Sequence, residues 1–303
     1  MGIDVHSLNF LKHCTEKKNF GRTLTLGRQS LYLDEGLTRR LRGRPADGVN
    51  DAYCEWLLTE RLGALGVESM DYSDYEGATH IHNMNHPVPE SMHGQYDTVF
   101  DGGTIEHIYN VPQALRNISE MCRVEGQIIH IVPANNMCGH GFWQFSPELF
   151  FSLYTESNGY SDTEVYLADM SEDKRWFKVR RPLNGMRAEV KSDYELMVMV
   201  RTVLRTRDFS HQQVQQSDYV HRWTEGKSES DEAVRVSMHP VKRYLSGHPG
   251  LYRGIQAAYA PFGRMVRIAK DIAKAPKRLK ISPNELLDRK NPWLEPMNVR
   301  GMF

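Results

Sequence analysis

The chain has 303 residues, 40% of them hydrophobic and 25% charged, which is enough for one sizeable globular domain with an appendage or two modest domains. Its 38 basic side chains are balanced by 38 acidic ones, which speaks against a general nucleic-acid binder, since such proteins are basic overall. Mean hydropathy is −0.56 and no apolar run approaches the length of a bilayer-crossing helix, so no transmembrane segment is expected.

The first residues lack the apolar core of a signal peptide, which points to the cytoplasm. Cys14, Cys54, Cys122 and Cys138 have no paired spacing, so reduced thiols are expected rather than a disulfide framework or a zinc site. Residues 1–20 read as a short leading helix with Leu8 and Leu11 on one side. Thr23–Leu26 reads as a strand that stops at Gly27-Arg28-Gln29. Residues 30–50 form a polar insertion with arginines at 39, 40, 42 and 44; its two readings are a solvated face and a loop for an anionic ligand. Residues 52–65 look helical, and Val67–Asp71 is strand-like and ends in an acid. Ala78–Met84 fits a further strand. It carries His80 and His82 on one side, but nothing nearby supplies the remaining ligands, so no metal site is assigned.

Residues 96–133 organise the rest. A short apolar run, Thr98-Val99-Phe100, stops at Asp101-Gly102-Gly103. Ala114, Leu115, Ile118, Met121 and Cys122 are spaced for one helical face, and Pro112 suits a first helical turn. Gly126 opens a second run, Ile128–Val132, closed by Pro133. Strand, loop, helix and strand within this length make a βαβ unit, and hence a parallel sheet. A polar loop, 134–145, precedes Ser146-Pro147-Glu148, a helix start with serine as cap. Glu164–Leu167 and Glu195–Val200 would complete seven strands with an antiparallel edge pair, the charged stretch between them being a surface loop. Residues 207–250 are polar. Residues 251–280 are amphipathic and basic, suited to docking on the domain or a second copy of the chain, or to an anionic membrane surface or acidic partner.

Asp101-Gly102-Gly103-Thr104-Ile105-Glu106-His107, the helix after it and the strand ending at Pro133 resemble the second half of class I S-adenosylmethionine-dependent methyltransferases. More loosely, the resemblance runs from about residue 21 to 206. It implies a Rossmann-like, seven-stranded, mostly parallel α/β sheet with helices on both faces, residues 1–206 forming that domain and 207–303 a partly helical, basic C-terminal extension. It also implies a cofactor site built from Gly27, Arg28, Asp71, Asn83, Asp101, Gly102, Gly103 and Glu106. Asp71 would meet ribose hydroxyls and Asn83 the adenine. The family's glycine-rich loop is reduced here to Gly27 followed by Arg28 and Gln29.

The loop beyond Pro133 lies on the side where open α/β sheets bind ligands, which makes Asn135, Asn136, Trp143 and Gln144 candidates for the substrate. His107 and His140 are candidate bases, because an imidazole titrates near neutral pH. The expected activity is methyl transfer from S-adenosylmethionine to an oxygen or nitrogen of a small molecule. The alternative is a repurposed domain that binds another ligand or a protein without transferring methyl groups.

Overall fold

The computed structural model of the chain describes residues 2–43, 52–190, 192–211, 214–225 and 293–297. Strand β1 (Gly2–Ile3) leads into α1 (Val5–Lys17), which starts where Asp4 Oδ1 accepts the Ser7 N–H at 2.8 Å. After β2 (Gly21–Leu26) and β3 (Ser30–Leu31) comes α2 (Glu35–Arg42). It is capped by Asp34 at one end and by left-handed Gly43 (φ 71°) at the other. The polar insertion therefore contains a short helix; Arg44 falls outside the described residues.

Helix α3 (Glu55–Glu60) is shorter than the pattern predicts, because β4 (Ala64–Asp71) begins earlier. Only His80–Ile81 pairs as β5. The central unit is β6 (Tyr96–Asp101), a 3₁₀ turn at Ile105–His107, α4 (Val111–Met121) and β7 (Cys122–Pro133). Beyond it lie α5 (Pro147–Leu153), β8 (Tyr160–Asp169), β9 (Trp176–Val179), β10 (Leu196–Leu204), α6 (Ser217–Glu225) and β11 (Leu294–Pro296).

Nine strands form one sheet in the order β11-β9-β8-β10-β7-β6-β2-β4-β5, with β1 and β3 paired separately. The block β5-β4-β2-β6-β7 is parallel throughout. Strand β10 enters antiparallel between β7 and β8, which leaves only β9 and β10 running against the rest. The sheet is thus Rossmann-like and mostly parallel as expected, but it has nine strands rather than seven. One extra strand is hidden in the charged stretch after Asp169, where Trp176, Phe177 and Val179 are buried amid charged neighbours. The other is β11, which pairs with β9. The basic stretch 251–280 lies outside the described residues. No described helix is long and apolar enough to cross a membrane.

Alternation along the strands sends side chains into two cores. Val99, Ile128 and Val132 join the core beneath α4 and α5. Phe100, Ile129 and Ile131 join the core beneath α1, α2 and α3. Both faces of the central strands are covered, as parallel sheets require.

Candidate functional site

The strand order turns back between β2 and β6: the chain runs outward through β4 and β5 on one side and through β6 and β7 on the other. Such a reversal opens a crevice beyond the carboxyl ends of the two strands, where ligands of open α/β sheets bind. Here Leu26 and Asp101 are register partners, and their following loops, Gly27-Arg28-Gln29 and Asp101-Gly102-Gly103, face each other. Gly27 (φ 70°) donates its N–H to Met70 O at 2.7 Å, which holds the first loop against β4.

Gln29, which the sequence reading did not single out, is fully buried in this crevice. Its Nε2 donates to Leu26 O at 2.5 Å, and Thr104 Oγ1 donates to the same oxygen at 2.7 Å. No donor reaches Gln29 Oε1. A Cβ on Gly102 would lie 2.7 Å from that Oε1 and 2.8 Å from Phe100 Cζ, so only glycine fits there. Gly103 (φ 90°) requires glycine for its backbone, and a Cβ there would stand 3.1 Å from Glu106 Oε1.

Asp101 itself faces inward. Its Oδ1 accepts the Thr104 and Ile105 N–H groups at 2.9 and 3.3 Å, and its Oδ2 meets His130 Nδ1 at 2.8 Å. His130 Nε2 in turn meets the Tyr154 hydroxyl at 2.6 Å. This carboxylate therefore anchors the loop. Arg28 is likewise tied to the protein, donating to Glu55 Oε1 at 2.6 Å and Glu76 O at 2.9 Å, with its guanidinium 4.1 Å from the Tyr53 ring centre.

Both expected bases meet beside Glu106. The loop after β7 folds back onto the 3₁₀ turn: Glu106 O accepts the Phe142 and Trp143 N–H groups at 2.8 and 3.3 Å, and Trp143 Nε1 donates to Ile108 O at 3.0 Å. Gly141 permits this docking, since a Cβ there would come within 2.8 Å of Glu106 O. As a result Glu106 Oε1 stands 3.8 Å from His107 Nε2 and 3.6 Å from His140 Nε2. The imidazole side chains are 44% and 49% exposed, whereas the carboxylate is completely buried.

Neither oxygen of Glu106 has a hydrogen-bond donor. Burial, followed by the nearby Asp101 charge, pushes its pKa up to about 8. Burial, followed by the neighbouring His140, lowers that of His107. Trp143 thus acts as a strut of this arrangement.

The remaining candidates sit elsewhere. Asp71, at the carboxyl end of β4, is half-buried; its Oδ1 accepts the Tyr72 N–H at 2.6 Å. Asn83 Oδ1 accepts from the backbone and side chain of Asn85 at 3.0 and 2.8 Å. Asn135, Asn136 and Gln144 line a separate cleft of about 450 Å3 together with Phe145, Ser146 and Leu167. Their amides also pin loops. Asn136 Nδ2 donates to Ser192 O and Tyr194 O, both at 2.8 Å, Asn135 Nδ2 to Val190 O at 3.3 Å, and Gln144 Oε1 accepts the Met137 N–H at 3.0 Å. His80 and His82 are engaged apart, one by Glu68 Oε2 at 2.7 Å and the other by His86 O at 3.2 Å.

No protein-family profile and no characterised protein matches the sequence. Solved structures do share its general course. The YcgJ protein of Bacillus subtilis is 10% identical, covering 67% of this chain and 100% of its own, with a TM-score of 0.38. TehB of Haemophilus influenzae is 11% identical, over 65% of this chain and 62% of its own, with a TM-score of 0.38. A Haemonchus contortus phosphoethanolamine N-methyltransferase, solved with phosphomonomethylethanolamine and S-adenosylhomocysteine, is 12% identical over 64% of this chain and 52% of its own, with a TM-score of 0.39. Likenesses this loose say nothing about chemistry. The strand order makes the sheet Rossmann-like and doubly wound, with the ligand crevice expected at its reversal.

Proposed function

We propose that the protein transfers a methyl group from S-adenosylmethionine to an oxygen or nitrogen of a small molecule, with residues 1–206 carrying the activity and 207–303 forming an extension. The observation that carries this reading is the pair of donor-less buried acceptors, Gln29 Oε1 and the Glu106 carboxylate, flanking Gly102-Gly103 at the strand reversal. A buried acceptor left without a donor is costly, so such a site suits a ligand rich in N–H and O–H donors and positive charge. S-Adenosylmethionine, with its ammonium, ribose hydroxyls and sulfonium, has that character and supplies an activated methyl group when bound.

Gly27, Gly102 and Gly103 leave room for close backbone approach, Asp71 offers a carboxylate oxygen to a diol, and Asn83 offers its amide. His107 and His140, at the solvent side of Glu106, face the position of the acceptor. Asn135, Asn136, Trp143 and Gln144 shape the loop on that side. The chain's task is alignment and exclusion of water, because the donor is already reactive.

A second reading, a repurposed domain that binds another ligand or a protein partner without methyl transfer, is favoured by a specific observation: Asp101 and Arg28 are both engaged by the protein itself. Calorimetric titration of the full chain with S-adenosylmethionine and with S-adenosylhomocysteine separates the two. Micromolar binding that weakens in Asp71→Ala supports the transferase. No heat up to millimolar ligand removes it.

A further inference from the structure

We propose that Glu106, His107 and His140 bind a divalent transition-metal ion, Zn2+ foremost, through one carboxylate oxygen and two imidazole nitrogens, with at least one coordination position open to solvent. Their donor atoms all lie within 4.8 Å of one another. Zinc bond lengths of about 2.0–2.2 Å place neighbouring donors of a tetrahedral site about 3.4 Å apart. The 3.6 and 3.8 Å separations from Glu106 Oε1 are thus within a few tenths of an ångström of what an ion needs. They are too long for direct hydrogen bonds between carboxylate and imidazole. What sets the cluster apart from a simple ion pair is that two imidazoles share one carboxylate oxygen, with one donor atom from each of the three residues inside 4.8 Å.

Burial supplies the second argument. Glu106 is wholly enclosed and both of its oxygens lack donors, so its charged form carries a burial cost that a bound cation would offset. The two imidazoles are half-exposed, so an ion can enter from solvent and keep a water or another oxygen as its outer ligand. Two imidazoles and one carboxylate suit zinc, iron or nickel better than calcium or magnesium. The scaffold is also fixed: Glu106 O holds the loop bearing His140 through two backbone N–H groups, so the sites at 106–107 and 140 cannot drift apart independently.

Elsewhere among the described residues, Asp101–His130 and Glu68–His80 are hydrogen-bonded at 2.8 and 2.7 Å with further partners. His13–Glu164, His93–Glu120 and His221–Glu225 stand 3.9, 3.6 and 3.7 Å apart, and none of them brings a third such ligand within 4.8 Å.

Metal binding takes up the Glu106 carboxylate, which leaves Gln29 Oε1 as the buried acceptor for the methyl donor. The role of the open position rests on the methyl-transfer reading: there it takes the acceptor's oxygen, and the ion lowers the pKa of the bound hydroxyl so that its proton passes to solvent. This favours a hydroxyl acceptor over an amine.

The test is titration of tag-free, chelator-treated full chain with Co2+, followed by visible absorption, with Zn2+ as competitor. One Co2+ per chain, displaced by Zn2+, is expected. Glu106→Gln and His140→Ala should each weaken binding by at least about 100-fold. His80→Ala, in the satisfied cluster, should leave it unchanged. Circular dichroism and thermal unfolding report whether each variant folds, and His107→Gln, at an exposed ring, serves where His140→Ala does not. Absence of stoichiometric Co2+ binding, or binding indifferent to these substitutions, overturns the proposal. Calorimetry with S-adenosylmethionine on the metal-free chain separates the two readings: its failure alongside intact Co2+ binding removes the transferase and keeps the metal site.

Discussion

Two carboxylates in this protein sit beside imidazoles and end up in opposite states. Glu68 in β4 accepts Arg22 Nε and Nη2 on one oxygen, at 3.2 and 2.8 Å. On the other it meets His80 Nε2 and the Tyr96 hydroxyl, both at 2.7 Å. Burial pushes its pKa upward, but the bonds from His80, Tyr96 and Arg22 outweigh burial and bring it down to about 2. Glu106 has imidazoles nearby too, yet none within bonding distance, and burial drives it up to about 8. Proximity of histidine alone does not lower a carboxylate's pKa; what decides is whether the acceptor's lone pairs are already filled.

The contrast can be broken hardest at Asp101, a satisfied carboxylate in the same loop as Glu106. Asp101→Ala strips partners from His130 Nδ1 and from two backbone N–H groups in a fully buried setting. It should destabilise the chain by about 3–5 kcal/mol in chemical denaturation. Glu68→Gln comes next, with an expected loss of about 1–2 kcal/mol at neutral pH.

The wild-type contribution of Glu68 has a defined pH window. Its folded pKa lies below its ordinary value of 4.5, so the stabilisation is complete above that pH and is lost as pH falls toward about 2. The acid limb of a stability–pH curve should flatten in Glu68→Gln. The smallest effect belongs to Glu106→Gln in metal-free protein, where no hydrogen bond is broken. Thermal unfolding there should stay within about 1 kcal/mol of wild type or show a gain. A loss as large as that of Asp101→Ala would mean that Glu106 is a structural anchor.

Much of the frame was readable from residues alone. The apolar runs at 98–100 and 128–132 are β6 and β7, the glycines at 102 and 103 mark the loop, and Pro112 and Pro147 sit in first helical turns. Glu106, His107 and His140 could be named singly. Their meeting could not, because it is produced by backbone bonds from Phe142 and Trp143 to a carbonyl far back in the sequence. Gln29 was hidden for a related reason: a buried glutamine with an unfilled oxygen leaves no pattern of spacing. Strand β9 was masked by its charged surroundings, whereas the strand expected over Ala78–Met84 is present but pairs only at His80–Ile81.

Strand β11 gives the far end of the sheet its protection. Leu294–Pro296 pairs with Phe177–Val179, Met297 N–H donates to Trp176 O at 3.0 Å, and Arg180 N–H donates to Trp293 O at 2.8 Å. Without that cover, β9 would present a row of free amides and carbonyls, the template on which strands of separate molecules add to one another. A chain cut after residue 225 should therefore show concentration-dependent light scattering that the intact chain lacks. By this argument Leu294–Pro296 would keep β9 from pairing with the edge of another molecule.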